Sequence, residues 1–274
     1  MNKLYKYHPD ALNNIVWSNT AVFVAGLIFA GAFIWFTRRK NALTLDGALS
    51  AAFTGLWVLW WAGPVWLLPL FFFFISGTLL GRLNKGRIDA ADAKHGRARD
   101  YRQVLCNGGI YAALATLAHG PDRETALTLM AFSLAVSTSD TWSSETGQYF
   151  RQKTVDILRW RPVPVGLSGG VSAAGTAGGF AGALAMATLC NFLIFSRLNP
   201  DFLLLVTAGG FAGMALDSLL GATLQARYRN KTTGTLSDQG GSELKLFSGV
   251  SWMSNDGVNF WSNMLMTLTG YYLV

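Results

Sequence analysis

The chain has 274 residues, of which 51% are hydrophobic, 13% aromatic and only 14% charged, with ten Trp and a net charge of +7. Soluble domains carry about 25% charged residues, so this composition excludes an ordinary soluble globule as well as a disordered chain. Two cysteines exclude a disulfide scaffold. An integral, multi-pass membrane protein remains, read as a single integral domain over residues 1–274.

Hydrocarbon requires about 20 apolar residues per helical crossing. In chain order, expected spans fall at about 16–37, 43–62, 65–81, 104–118, 125–139, 168–195, 202–224 and 256–274. The first closes at Arg38-Arg39-Lys40, and Gly63-Pro64 divides the second from the third. The first span is too long for a signal-peptide core, and no small-residue cleavage site precedes Arg38. The fold class is therefore an all-α polytopic membrane protein of about eight transmembrane helices. Arg38 to Asn41 and loops 82–103, 140–166 and 225–254 are expected on one face. Eighteen of the 22 Lys and Arg fall on that face, leaving Lys3, Lys6, Arg123 and Arg197 on the other. The positive-inside rule makes the basic face cytoplasmic, in a bacterial-type cytoplasmic membrane, with membrane lipids as the surroundings. The basic excess thus reads as topology, and nucleic acid is not an expected partner.

Ionisable residues at membrane depth mark functional sites by default. Asp140, ending the fifth span in Ser139-Asp140-Thr141-Trp142-Ser143-Ser144-Glu145, is one. Asp217, ending the seventh in Leu216-Asp217-Ser218-Leu219-Leu220-Gly221, is the other. Each is followed by a small hydroxyl residue, which suggests an internal parallel repeat, with chance similarity of so short a pattern as the alternative. Helical spacing puts Asp140 and Ser144 on one face, with Glu145 beyond. Carboxylates and hydroxyls are hard oxygen ligands suited to Mg²⁺, so Asp140 and Asp217 are the candidate metal ligands, with Glu145 as a third catalytic carboxylate. The alternative for Asp140 is a solvated helix end.

Further along, Gly166, Gly169, Gly170 and Ser172 open the sixth span and could cradle phosphate at a helix N-terminus. Gly175, Gly178, Gly179 and Gly182 read better as helix-packing residues. No GxxxxGK[ST] pattern occurs. Arg97, Arg99, Gln103 and Asn107 form a basic and amide cluster, against a merely topogenic loop. Ser218 and Gln225 flank Asp217, and Asn255 and Asp256 sit at the mouth of the last span, where a helix cap is the plainer reading. His8, His95 and His119 do not cluster, and Cys106 and Cys190 stand apart, so zinc chemistry and a Ser-His-Asp triad find no support.

Ser139 to Gly147, Val163-Pro164-Val165-Gly166 with Gly169-Gly170-Val171-Ser172, Gly96 to Gly109, Asp217 to Gln225 and Asn255-Asp256 together resemble one integral-membrane family. This is domain of unknown function 92, which includes animal transmembrane protein 19 and the plant phytyl-phosphate kinases. Thr146, and Leu167-Ser168 before Gly169, depart from its usual pattern. The resemblance implies Mg²⁺-dependent phosphoryl transfer from a nucleoside triphosphate, CTP foremost, to an isoprenyl monophosphate. A lipid-phosphate transporter or flippase, and a CTP-dependent transferase making a CDP-linked lipid, are the alternatives. Oligomeric state is left open.

Overall fold

The computed structural model describes residues 20–84, 98–238 and 240–274. Among these, eight α-helices follow one another: α1 (Thr20–Arg39), α2 (Leu45–Trp61), α3 (Leu67–Leu83), α4 (Tyr101–Ala115), α5 (Arg123–Phe150), α6 (Ala173–Phe195), α7 (Pro200–Thr223) and α8 (Asn255–Leu273).

Local chemistry sets their ends. Arg38 and Arg39 occupy the last turn of α1, where cations offset the exposed carbonyl end of the helix dipole. Thr44 caps α2 by accepting from the Gly47 amide at 3.2 Å. The α2–α3 break is made by Gly63 at φ 95°, a left-handed backbone that favours glycine, and by Pro64 opening a short 3₁₀ turn. Asp100 and Gln103 form a reciprocal capping box on α4. Ser172 and Ser254 cap α6 and α8 by accepting from the amides of Gly175 and Gly257.

Helix α5 is the axis of the bundle. Every residue from Ala126 to Ser139 is buried, and α3, α4, α6, α7 and α8 all pack on it. Small residues let α6 and α7 approach closely. A methyl group at Gly210 would lie 2.8 Å from Ala135 Cβ, and one at Gly213 would lie 2.6 Å from the Val136 methyls. Gly182 meets Trp142 in the same way, and Ser139 Oγ donates to Gly179 O at 2.8 Å. Hydrocarbon solvent gives helices no hydrophobic reason to associate, so such close contacts and interhelical hydrogen bonds supply the cohesion.

Among the described residues, four helical segments are long and apolar enough to cross a membrane: Ala21–Arg39, Pro64–Leu83, Ala173–Phe195 and Pro200–Thr223. The other four helices do not meet that length and hydropathy. For α5 the reason is its enclosure: a helix surrounded by protein can carry Ser, Thr and carboxylates that a lipid-facing one could not. The outward faces are apolar, with Ile28 70% and Leu204 71% exposed.

Two boundaries differ from those expected. Helix α5 continues to Phe150, past the end expected at about residue 139, so Asp140, Ser144 and Glu145 lie within it at the helical spacing expected of them. Helix α6 starts at Ala173, and the residues before it include a short strand. The described residues are therefore helical with two small antiparallel sheets: β1 (Val155–Asp156) with β2 (Gly170–Val171), and β3 (Arg227–Asn230) between β4 (Leu236–Ser237) and β5 (Leu244–Ser248).

Candidate active site

The C-terminal halves of α3, α5 and α7 and the N-terminal ends of α4, α6 and α8 border one cavity of about 320 Å³, within the usual size range of small-molecule sites. Of the residues singled out from sequence, Asp140, Glu145, Asp217, Arg99, Gln103, Asn107, Ser144, Gly166, Gly169, Gly170, Ser172, Ser218 and Asn255 all border it. Gln225 and Asp256 do not. Gln225 is buried just past α7, with its backbone N–H donating to Leu220 O, and Asp256 interacts with the Arg102 charge on the α4 side. Arg97 lies outside the described residues.

Asp140 on α5 and Asp217 on α7 meet carboxyl to carboxyl, within hydrogen-bonding reach of each other. Their helices are close neighbours because Gly209, Gly210 and Gly213 on α7 remove the side chains that would hold α5 away. Helix α8 buttresses the pair. Ser262 donates to Asp217 Oδ2 at 2.9 Å, and the Asn259 amide, turned so that its nitrogen donates, reaches the same oxygen at 3.2 Å. Two ionised carboxylates in contact repel, so a proton or a cation has to lie between them. Among the described residues no group of three or more His, Cys, Asp or Glu gathers. Mg²⁺ suits such a sparse site, because it takes one or two carboxylates and completes its shell with water and substrate phosphate.

Glu145 faces α3 at the same end. It accepts from Asn84 Nδ2 at 2.7 Å, and the same nitrogen donates to Glu145 O at 3.0 Å. Gly81 permits this approach, since a methyl there would sit 3.2 Å from Glu145 Oε1. Arg99 completes the group. Its backbone is strapped to the start of α2, donating to Ala42 O at 3.1 Å and accepting from the Thr44 amide at 3.0 Å. Its guanidinium lies 5.9 Å from the Phe73 ring centroid. Burial pulls the Arg99 pKa down and the Glu145 charge pushes it back up, with a net lowering, yet an arginine so placed keeps its charge. Lys40 and Arg82, which the sequence reading gave only a topological role, also border the cavity.

The glycine segment is held by a pair the sequence reading missed. Arg227 on β3 is 2% exposed, as is Asp156 on β1. Arg227 Nη1 donates to Asp156 Oδ2 at 3.1 Å, and its other terminal nitrogen donates to Ser168 O. Asp238 accepts from the Ser168 amide at 2.8 Å, and Gly170 N donates to Leu167 O at 2.9 Å. The Gly170 amide of the expected phosphate cradle and the neighbouring Ser168 amide are thus engaged within the protein. Gly169, at φ 75°, packs so tightly on Ala222 that a methyl would come within 2.7 Å of its backbone nitrogen. Gly169 is there for that approach, and a methyl at Gly170 would meet Leu167 O and the Thr154 methyl at 2.8 Å.

The polar stripe on α8 was also legible only in part. Asn259, Ser262, Asn263 and Thr267 recur at helical spacing in an otherwise apolar run, and Asn263 joins Ser133 and Ser137 of α5 at 2.9 Å each. That spacing was the available signal.

A family model described as Integral membrane protein DUF92 matches residues 28–267. The chain belongs to the DUF92 family. It is 31% identical to Protein PGR of Arabidopsis thaliana, over 89% of this chain and 92% of that protein. It is 32% identical to an uncharacterized membrane protein of Methanocaldococcus jannaschii, over 69% of this chain and 78% of the relative. A third relative, an uncharacterized membrane protein of Synechocystis, is 31% identical over 76% and 81%. No solved structure matches. As a DUF92 integral membrane protein, the chain turns its exposed apolar helix faces to lipid, which removes the liability that patches such as Ile28, Phe29, Trp35 and Phe36 would pose in water.

Proposed function

We propose that this DUF92 protein is a membrane-embedded phosphotransferase that phosphorylates an isoprenyl monophosphate with a nucleoside triphosphate, CTP foremost, at the cytoplasmic face. The observation that carries the reading is the contact of Asp140 with Asp217 in a cavity that also holds Arg99. Asp140 in α5 and Asp217 in α7 are each followed by a hydroxyl residue, and each helix by a serine-capped one, which supports a repeated origin for the two carboxylates.

In this reaction an oxygen of the acceptor phosphate attacks the terminal phosphorus of the nucleotide. One P–O bond forms, the bond to the bridging oxygen breaks, and the nucleoside diphosphate leaves with that electron pair. A phosphate monoester has its second pKa near 6, about where phosphorylated side chains titrate, so the nucleophile arrives ionised and the site needs no strong base. Asp140 and Asp217 would hold Mg²⁺, whose charge neutralises the transferring phosphoryl group. Arg99, positioned by Glu145 and by its strap to α2, would hold the acceptor phosphate. Ser144, Ser218, Ser172 and Asn255 offer hydrogen bonds to the remaining phosphate and nucleotide oxygens. A carrier would carry polar groups on both sides of the midplane, whereas the singled-out polar residues bordering this cavity gather at one end.

Purified protein incubated with labelled CTP or ATP and a panel of prenyl monophosphates is expected to yield labelled prenyl diphosphate. A CDP-linked lipid product would favour the transferase alternative. Movement of prenyl phosphate across vesicles without any transfer would favour the carrier. Sidedness has its own test in a chain lacking Cys106 and Cys190. A cysteine at exposed position Arg161 should resist impermeant reagents in intact cells, and one at exposed Asp122 should react; the reverse pattern would place the site outside.

A further inference from the structure

The same cavity has a second arm, which the phosphoryl-transfer chemistry does not use. Beyond Arg99 and Gly77 it continues between α1, α2 and α3 as far as Gly26, Leu59 and Leu67. Gly77 and Leu67 are ten residues apart on α3, so the arm is roughly 15 Å long at about 1.5 Å per helical residue. Its walls are hydrocarbon and aromatic, and Arg99 stands at its polar mouth beside the Phe73 ring.

The glycines along it differ from those at the helix contacts. A methyl at Gly55 would meet only Leu67 Cδ2, at 3.9 Å, and one at Gly108 would meet Leu70 and Thr54, also at 3.9 Å. These are ordinary contacts, so close packing does not require glycine at either place; small residues there keep the arm open. The far end is different. A methyl at Gly26 would lie 2.5 Å from Leu59 Cδ2, so α1 and α2 close the arm at that pair.

We infer that this arm receives the single hydrocarbon chain of a lipid monophosphate, its anionic head held at Arg99, and that the Gly26–Leu59 closure sets the longest chain accepted. Charge complementarity at the mouth selects an anionic head, and the apolar walls of the arm select a hydrocarbon chain. The identity of the head as a phosphoryl acceptor rests on the function proposed above; occupation of the arm does not.

Two substitutions test it in opposite directions. Gly55→Leu fills the arm from a position with room for a side chain, and Leu59→Ala opens its closed end. With geranyl, farnesyl, geranylgeranyl and longer polyprenyl monophosphates, Gly55→Leu should lower kcat/KM for the longer chains at least tenfold while sparing geranyl. Leu59→Ala should raise use of the longest chains relative to farnesyl. The same panel is read without nucleotide, as the shift in detergent melting temperature on adding each monophosphate, which should follow the same chain-length order. Shifts that depend on length and move with the two variants, in a protein that transfers no phosphoryl group, would overturn the phosphotransferase and leave the arm standing. Transfer or binding with an unchanged length profile in both variants would overturn the arm. Should Gly55→Leu not insert, Leu59→Ala decides alone.

Discussion

Asp140→Asn and Asp217→Asn should each reduce prenyl-phosphate phosphorylation by at least about 100-fold, the scale of losing one group that stabilises charge in a transition state. Either change keeps size and polarity but removes half of the carboxylate pair that would hold Mg²⁺. Both variants should insert and purify at wild-type yield. A neutral amide within a span is cheaper than a charge, and removing one of two contacting carboxyls relieves their repulsion. Arg99→Gln should behave differently, raising KM for the acceptor more than it lowers kcat, because Arg99 is placed to bind the acceptor head and not to hold the metal. Steady-state kinetics across a Mg²⁺ titration separates the two classes. Full activity of both Asn variants at ordinary Mg²⁺ would return the aspartates to a packing role.

The second large effect is expected far from the carboxylate pair. Asp156→Asn leaves the guanidinium of Arg227 buried without its charge partner, which costs about 3–5 kcal/mol where such a pair is broken on one side. The double variant Asp156→Leu with Arg227→Met should recover much of that loss, since replacing both partners by apolar groups removes the stranded charge. Denaturation in detergent measures both. The pair also makes the fold acid-sensitive. Burial pushes the Asp156 pKa up, but the amides of Arg159 and Leu158 and the Arg227 guanidinium outweigh it and leave it below the ordinary 3.8. With the folded value depressed, its contribution is complete above that ordinary value and is lost as pH falls through the folded one. The Asn variant should therefore lose less stability on acidification than wild type. An equal loss in both would assign the acid sensitivity to other carboxylates. Because Arg227 also holds Ser168 O, the variant should release Gly169 from Ala222 and lower turnover together with stability.

The carboxylate pair was readable in advance because charge is so costly in hydrocarbon that two aspartates stand out of their spans at once. The other half of the site was not. Asn84 follows Arg82 in a stretch that reads as topology, and nothing in its neighbours indicates that it donates to Glu145 across 61 residues. Arg227 and Asp156 look like two more charges in basic loops. Their pairing depends on β1 and β3 meeting through the glycine segment, a contact that no local pattern encodes. The phosphate cradle shows the converse: a glycine-rich run before a helix predicts available amides, yet Leu167 O and Asp238 accept two of them.

Sequence by itself determined the solvent of this protein, the apolar helices, the Gly63-Pro64 break, the family, and the aspartates at membrane depth, because each depends on composition or on partners within a few residues. Only the tertiary structure decided that Asp140 and Asp217 touch, that α5 runs on as far as Phe150, that Lys40 and Arg82 border the cavity, and that a methyl would make only ordinary contacts at Gly55 and Gly108 but would run into α5 at Gly210 and Gly213. Those outcomes depend on which helix faces meet. In a lipid-surrounded bundle, van der Waals fit and interhelical hydrogen bonds choose the faces, and an apolar sequence looks much the same on every side.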